Sequence, residues 1–297
     1  MEGRKGTQAP VALAVAALLL CPGTVRARPG QDAGASNPPP SLTLADAGRE
    51  FLRDAGLIWS SPARIKTRDV APLLALAAAA AVLVSADERT RDAVQGYAGR
   101  HAWVGHVGPV VTVMGYEGAW GTAGAFFGLG LLLKDERAKE TGYLAASAMA
   151  QSFLVGSVLK GLAGRQRPFD EDGVDHWWGP RGFVGRFESG MSGKYDSFPS
   201  GHTTNAFAMA TIIAHQYRRQ VWIPVVAYAV ATGVGLSRMT LDRHWSSDVL
   251  CGAVLGHAVA RLVLRTHDRP GRLAPSLACL RQGFALTLVY DLGPSGL

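Results

Sequence analysis

The sequence predicts an all-α protein, a bundle of about six mostly transmembrane helices with its active site at one end. Three observations carry this. Hydrophobic residues make up 48% of the 297 residues and charged residues only 18%, where soluble domains carry about a quarter. Six apolar segments occur with no strand-like alternation through them. The basic residues between them fall in alternate connections, as expected when loops of one side carry Lys and Arg.

The chain opens with an export-type stretch over residues 1–27: Arg4 and Lys5, then an unbroken apolar run from Val11 to Leu20, then Val25-Arg26-Ala27 as a small-residue cleavage site. It serves either as a cleaved signal or as an uncleaved anchor. Residues 28–69 hold a linker rich in Pro, Gly, Ser, Asn and Asp up to Ser41. Within the same region, Leu44–Trp59 mixes Phe51, Leu52, Leu57 and Ile58 with charges. It reads equally as an interfacial amphipathic helix or as an ordinary soluble one.

The main domain spans 70–266. Its apolar cores are Val70–Ser85, Gly118–Leu133, Thr141–Leu159, Thr203–Tyr217, Val221–Ser237 and Val249–Leu264.

 Each reads as a helix on length and on Ala and Leu content, the third of them covering Thr141–Leu159. Several fall short of the roughly 20 residues that span a bilayer, so buried helices of a soluble protein are the competing reading. His101–Tyr116, free of Asp, Glu, Lys and Arg, is a candidate further element. The basic groups Lys134/Arg137/Lys139, Arg218/Arg219 and Arg265/Arg269/Arg272 share one side if the segments alternate, which makes that side the cytoplasm. The loops Gly161–Phe198 and Arg238–Ser247 then face outward. Six spans need a cytoplasmic start, whereas a cleaved signal needs an outer one. Either the anchor adds a span or one segment does not cross.

Three polar clusters stand at the outward helix ends: Lys160 with Arg167-Pro168, then Pro199-Ser200-Gly201-His202, then Ser237-Arg238 followed by His244 and Asp248. Lys160, Arg167 and Arg238 are three positive charges suited to a dianionic phosphoryl group, the arginines by their planar fork of donors. Ser200-Gly201 begins a helix whose free N–H groups favour an anion, and Gly201 lets the backbone approach it. His244 and Asp248, four apart, share a helix face. A carboxylate on one ring nitrogen would leave the other free as a nucleophile. His202 then supplies the acid and base. The set completes a double displacement at phosphorus with no metal or other cofactor.

These motifs resemble the type 2 phosphatidic acid phosphatase superfamily, whose signature is Lys-x6-Arg-Pro, Pro-Ser-Gly-His and Ser-Arg-x5-His-x3-Asp. Here they stand as KGLAGRQRP (160–168), PSGH (199–202) and SRMTLDRHWSSD (237–248). The likeness covers about Val70 to Leu264. It implies a core of packed helices, His244 as the residue phosphorylated, His202 as acid–base and Asp248 as the partner of His244. It also implies a phosphate pocket of Lys160, Arg167, Ser200, Gly201 and Arg238.

The expected activity is therefore metal-independent hydrolysis of a lipid phosphate through a phosphohistidine. Phosphatidic acid, phosphatidylglycerol phosphate and undecaprenyl pyrophosphate are the candidate substrates. The expected place is the bacterial inner membrane, among membrane lipids, with the site facing the periplasm. An exported soluble acid phosphatase of the periplasm, acting on small phosphomonoesters, is the alternative. A vanadium haloperoxidase is a more distant one. The net charge of +7 comes without a basic run interleaved with aromatics, so nucleic acid is not an expected partner.

The aromatic, Gly-rich loop Phe169–Phe198 reads as a lipid-contacting rim carrying Trp177, Trp178, Phe183, Phe187 and Tyr195. Cys251 reads as a small buried hydrophobe. His101, His176 and His215 receive no role, and His257 with Arg261 reads as burial or a helix flank. Residues 267–297 form a tail in which Gly283–Leu292 alternates weakly, as a short strand would.

Overall fold

The computed structural model describes residues 44–169, 176–182 and 194–267, together with the backbone of 273–280 and 283–290. The export-type stretch 1–27, the linker up to residue 43, and Phe183 and Phe187 of the loop lie outside the described residues. Among the described residues the helices are α1 (Leu44–Trp59), α2 (Thr67–Arg100), α3 (Ala102–Val113), α4 (Glu117–Leu133), α5 (Glu136–Ala163), α6 (Gly201–Gln216), α7 (Trp222–Thr240) and α8 (Ser246–His267). A short 3-10 turn, Pro62–Arg64, links α1 to α2. The tail pairs β1 (Leu273–Leu280) with β2 (Gly283–Tyr290) as an antiparallel hairpin, Leu273 opposite Tyr290 and Leu280 opposite Gly283. The bundle is all-α, as expected, with this hairpin appended.

The apolar segments all became helices, and His101–Tyr116 holds α3. Four helices are long and apolar enough to cross a membrane: α2, α5, α7 and α8. α4 and α6 have 17 and 16 residues, short of a comfortable span. Surface apolarity fits lipid contact: Leu132 and Val221 are 79% and 77% exposed, in keeping with a solvent of acyl chains.

α6 is the central helix, buried from Thr203 to Ala206 and again from Ala208 to Ile213. It packs against α5, α7 and α8. Phe126, Leu144, Met149, Ile212, Val263 and Leu264 fill the core. α8 reaches α6 through glycine: a Cβ on Gly256 would collide with the Thr204 carbonyl, and one on Gly252 with that of Ser200. Only a bare backbone permits that approach.

α2 runs 34 residues, well past the apolar core Val70–Ser85. Its polar second half is held by specific bonds. Arg91 forks onto Asp242, with Nε to Oδ1 at 2.8 Å and Nη2 to Oδ2 at 2.7 Å, and Gln95 donates to the Met239 carbonyl at 2.8 Å. α1 is not a free interfacial helix. Asp54 and Ile58 are buried, and Asp54 accepts from Thr266 at 2.6 Å.

Candidate active site

The three sequence clusters converge. α5 ends on Lys160 in its last turn, and Gly164 closes it in the left-handed region at φ 50°. A Cβ there would strike the Gly179 carbonyl as well, so glycine is required twice over. The chain then carries Arg165 and Arg167 across the helix ends. Ser200 precedes α6, and the turn after α7 delivers His244 to the start of α8.

Together they enclose a cavity of about 230 Å³ whose wall includes Lys160, Arg167, Asp196, Gly201, His202 and His244. A Cβ on Gly201 would meet nothing within 4 Å, so the backbone at the start of α6 is open to a ligand, and the first N–H groups of a helix lack intrahelical partners. Three expected site residues stand behind this wall. The Ser200 hydroxyl pairs with that of Thr203 at 2.9 Å. Arg238 donates to Thr112 at 2.7 Å, while its buried Nε has no hydrogen-bond partner. Such an orphaned donor is what an anion would satisfy. Asp248 is fully buried.

His244 Nδ1 lies 2.8 Å from the Ser197 carbonyl. A carbonyl only accepts, so Nδ1 carries the proton and Nε2 is unprotonated. Asp248 Oδ2 stands 3.6 Å from the same nitrogen, outside hydrogen-bond range. The direct tautomer-fixing contact expected of Asp248 is thus made by Ser197. Asp248 acts one step behind: its Oδ2 accepts from Ser197 Oγ at 2.5 Å and from Trp245 N at 3.0 Å.

Sequence reasoning missed what sits beneath. Arg165 is fully buried and donates to Asp248 Oδ1 at 2.6 Å, Ser247 Oγ at 2.6 Å and Asp87 Oδ2 at 2.7 Å. Asp87, from α2, also accepts from Ser246 Oγ at 2.5 Å, from Ser247 N at 3.0 Å and from the Ser247 hydroxyl. It caps α8 from another helix, satisfying first-turn donors. The signal was present: an acid directly after an apolar segment is uncommon and needs a partner.

Asp196 was also missed. Arg167 pairs with its carboxylate, Nε to Oδ1 at 2.9 Å and Nη2 to Oδ1 at 2.8 Å. Lys160 donates to its main-chain carbonyl. Burial raises the Asp196 carboxyl, but Arg167 and Lys160 outweigh it and hold the group below the ordinary carboxylate range. Burial pushes His202 down to about 3, helped by Arg238, Arg167 and Lys160. His244 is pushed well down for the same reasons, burial first. Both rings are therefore biased toward the neutral form.

Sequence comparison with known proteins shows the family. The PAP2 superfamily model matches residues 141–272. A lipid A 1-phosphatase of Rhizobium johnstonii is 30% identical over 203 residues, covering 62% of this chain and 78% of that protein. The chain belongs to the PAP2 superfamily. A lipid A 1-phosphatase of Porphyromonas gingivalis is 50% identical over 68 residues, 23% of this chain, and the match spans only 15% of that protein's length. A solved structure, a transmembrane PAP2 type phosphatidylglycerolphosphate phosphatase from Bacillus subtilis, superposes with a TM-score of 0.48 at 23% identity, covering 77% of this chain and 97% of that one. Within this PAP2 chain the matched stretch takes in Lys160 through Asp248, whereas Asp87 lies outside it.

Proposed function

We propose that the protein hydrolyses the phosphate ester of a lipid through a phosphohistidine on His244. The observation that carries this is a continuity of two surfaces. The cation-lined cavity shares Tyr116, Phe153 and Asn205 with an apolar groove of about 410 Å³ that also includes Phe51, Trp120 and Leu154. A phosphoryl group suits the first and an acyl chain the second. That the two relatives are named lipid A 1-phosphatases supports the lipid class, and the four long apolar helices favour a membrane enzyme over the soluble periplasmic alternative.

In the first step the free Nε2 of His244 attacks phosphorus. The N–P bond forms as the bond to the lipid oxygen breaks, and His202 gives its proton to that oxygen. In the second, water attacks the phosphohistidine while His202 takes its proton. Inorganic phosphate leaves and His244 is restored. Lys160, Arg167, Arg238 and the α6 N-terminus carry the charge on the non-bridging oxygens. His202 is depressed first by burial and then by three cations; a phosphate dianion offsets those cations and raises the ring toward the protonated form that an acid needs. Asp248, through Ser197, keeps His244 oriented.

The basic turns at Arg137, Arg218 and Arg265 lie at the helix ends remote from the cavity, so the positive-inside tendency points the cavity outward, to the periplasmic side of a bacterial inner membrane. The test is phosphate release by the detergent-purified protein with EDTA present. Phosphatidic acid, phosphatidylglycerol phosphate, undecaprenyl pyrophosphate and p-nitrophenyl phosphate are compared, with His244→Ala in parallel. Turnover that survives EDTA and vanishes in the variant is expected. Folded protein inactive on all four would sink the reading.

A further inference from the structure

A second charged cleft lies far from the catalytic cavity. It measures about 860 Å³ and opens between α1, the start of α2 and the end of α8. Arg261 and Arg265 line it, 13 to 17 residues beyond Asp248 on α8, which is about 20–25 Å along the axis. Lys66 and Arg68 line it from the other wall, about 30 Å along α2 from Asp87. It therefore sits at the end of the helices opposite the catalytic cavity.

Six cations meet there: Arg53, Arg64, Lys66, Arg68, Arg261 and Arg265. Asp69 is the one carboxylate on the described lining, and it pairs with Arg68 at 3.7 Å while accepting from Lys66 N at 2.9 Å. Among the described residues no carboxylate forms an ion pair with Arg53, Arg64, Lys66, Arg261 or Arg265. The cleft has an apolar floor as well, with Pro72 and Leu73 on α2 facing Leu262 on α8. Its α2 wall continues into a helix whose most apolar window has no buried residue, with Leu74 and Val82 each 65% exposed. Five cations without a carboxylate partner among the described residues, beside an apolar floor at the end of a helix long and apolar enough to cross a membrane, match the headgroup and acyl chains of one molecule.

We propose that this cleft binds an anionic phospholipid of the leaflet opposite the catalytic cavity, its phosphate on the Arg261/Arg265 and Arg64/Lys66 walls and its chains along α2. The site is independent of the phosphatase reading and holds whether or not the chain cleaves phosphate esters.

The test is native mass spectrometry of the full chain released from nanodiscs of equal phosphatidylglycerol and phosphatidylcholine. Wild type is expected to retain phosphatidylglycerol in preference. Arg261→Gln/Arg265→Gln and, on the other wall, Arg64→Gln/Lys66→Gln are each expected to cut the ratio of the two lipids about tenfold. Circular dichroism checks each pair, and the exposed side chains on two separate walls keep the test open if one pair fails to fold. Arg167→Gln, in the catalytic cavity, is expected to leave the ratio unchanged. Millimolar inorganic phosphate or glycerol 3-phosphate is expected not to displace the lipid. A wild-type ratio near one, a ratio unmoved by the paired substitutions, a ratio lost in Arg167→Gln, or displacement by soluble phosphate would each overturn the proposal.

Discussion

Arg165 and Asp248 form a fully buried ion pair at 2.6 Å, with no solvent-exposed surface on either side chain. The same guanidinium binds Asp87 at 2.7 Å, so one cation serves two buried carboxylates from α2 and α8. Trp177 and Trp245 flank it, with ring centres 4.5 and 5.4 Å away. This ties the 34-residue helix to the turn that presents His244. Removing the cation leaves two uncompensated buried charges, the costly way to break such a group. Arg165→Leu is expected to destabilise the protein by about 3–5 kcal/mol, read as lost folded yield or a lower midpoint in thermal unfolding. Arg165→Lys should recover part of that. A Leu variant as stable as wild type would show that the triad contributes nothing.

Asp196 holds Arg167 by its carboxylate, and its negative charge faces the same cavity. It therefore orients the arginine while repelling an incoming dianion. Asp196→Asn keeps the shape and removes the charge. Vanadate, a mimic of the trigonal-bipyramidal phosphorus, is expected to bind the variant about tenfold more tightly, measured as inhibition or by calorimetry. Weaker binding would mean that orientation of Arg167 outweighs the repulsion.

The residues that line the cavity were legible because each motif occupies a helix end, where Lys160, His202 and His244 keep their spacing whatever the helices do elsewhere. Their supports were not. Arg165 sits two residues before Arg167 and looks like one more basic flank until its partners are placed. Ser197 acts through a main-chain carbonyl, which leaves no mark on residue type. Asp87 and Arg91 lie in the polar half of α2, where hydropathy falls away and the apolar segment stops. Arg91 meets Asp242 151 residues on, and Asp87 meets Arg165 and Ser247 at separations of 78 and 160. Close packing at Gly256 was equally hidden, since composition shows that glycine is abundant but not which glycine meets a carbonyl.

The groove beside the cavity makes a prediction about chain length. Trp120, Phe153 and Leu154 line it, and each is partly exposed, so truncation removes ligand contact with little loss of core. Trp120→Ala is expected to lower kcat/KM for a long-chain lipid phosphate about tenfold or more. Turnover of p-nitrophenyl phosphate, which has no chain, should change little. An equal fall on both substrates would place Trp120 in general packing instead.

The charge state of His202 gives the last prediction. The folded ring is held at about 3 by burial and by Arg238, Arg167 and Lys160, against an unfolded value near 6.5. Because the folded value is depressed, its contribution to stability is fully present above about pH 6.5 and is lost as pH falls toward 3. His244, depressed in the same direction, adds to the loss. The unfolding midpoint should therefore drop from pH 7 to pH 4, and less steeply in His202→Gln. Burial is the larger cause, but an anion in the cavity offsets the cations that add to it and raises the ring, so vanadate binding near pH 5.5 should draw up to about one proton from solution. Calorimetry in buffers of different ionisation heat measures that uptake directly. It should disappear in His202→Gln. Uptake that persists in that variant would assign the proton to another group, and no uptake in wild type would leave His202 without the proton that the proposed acid role requires.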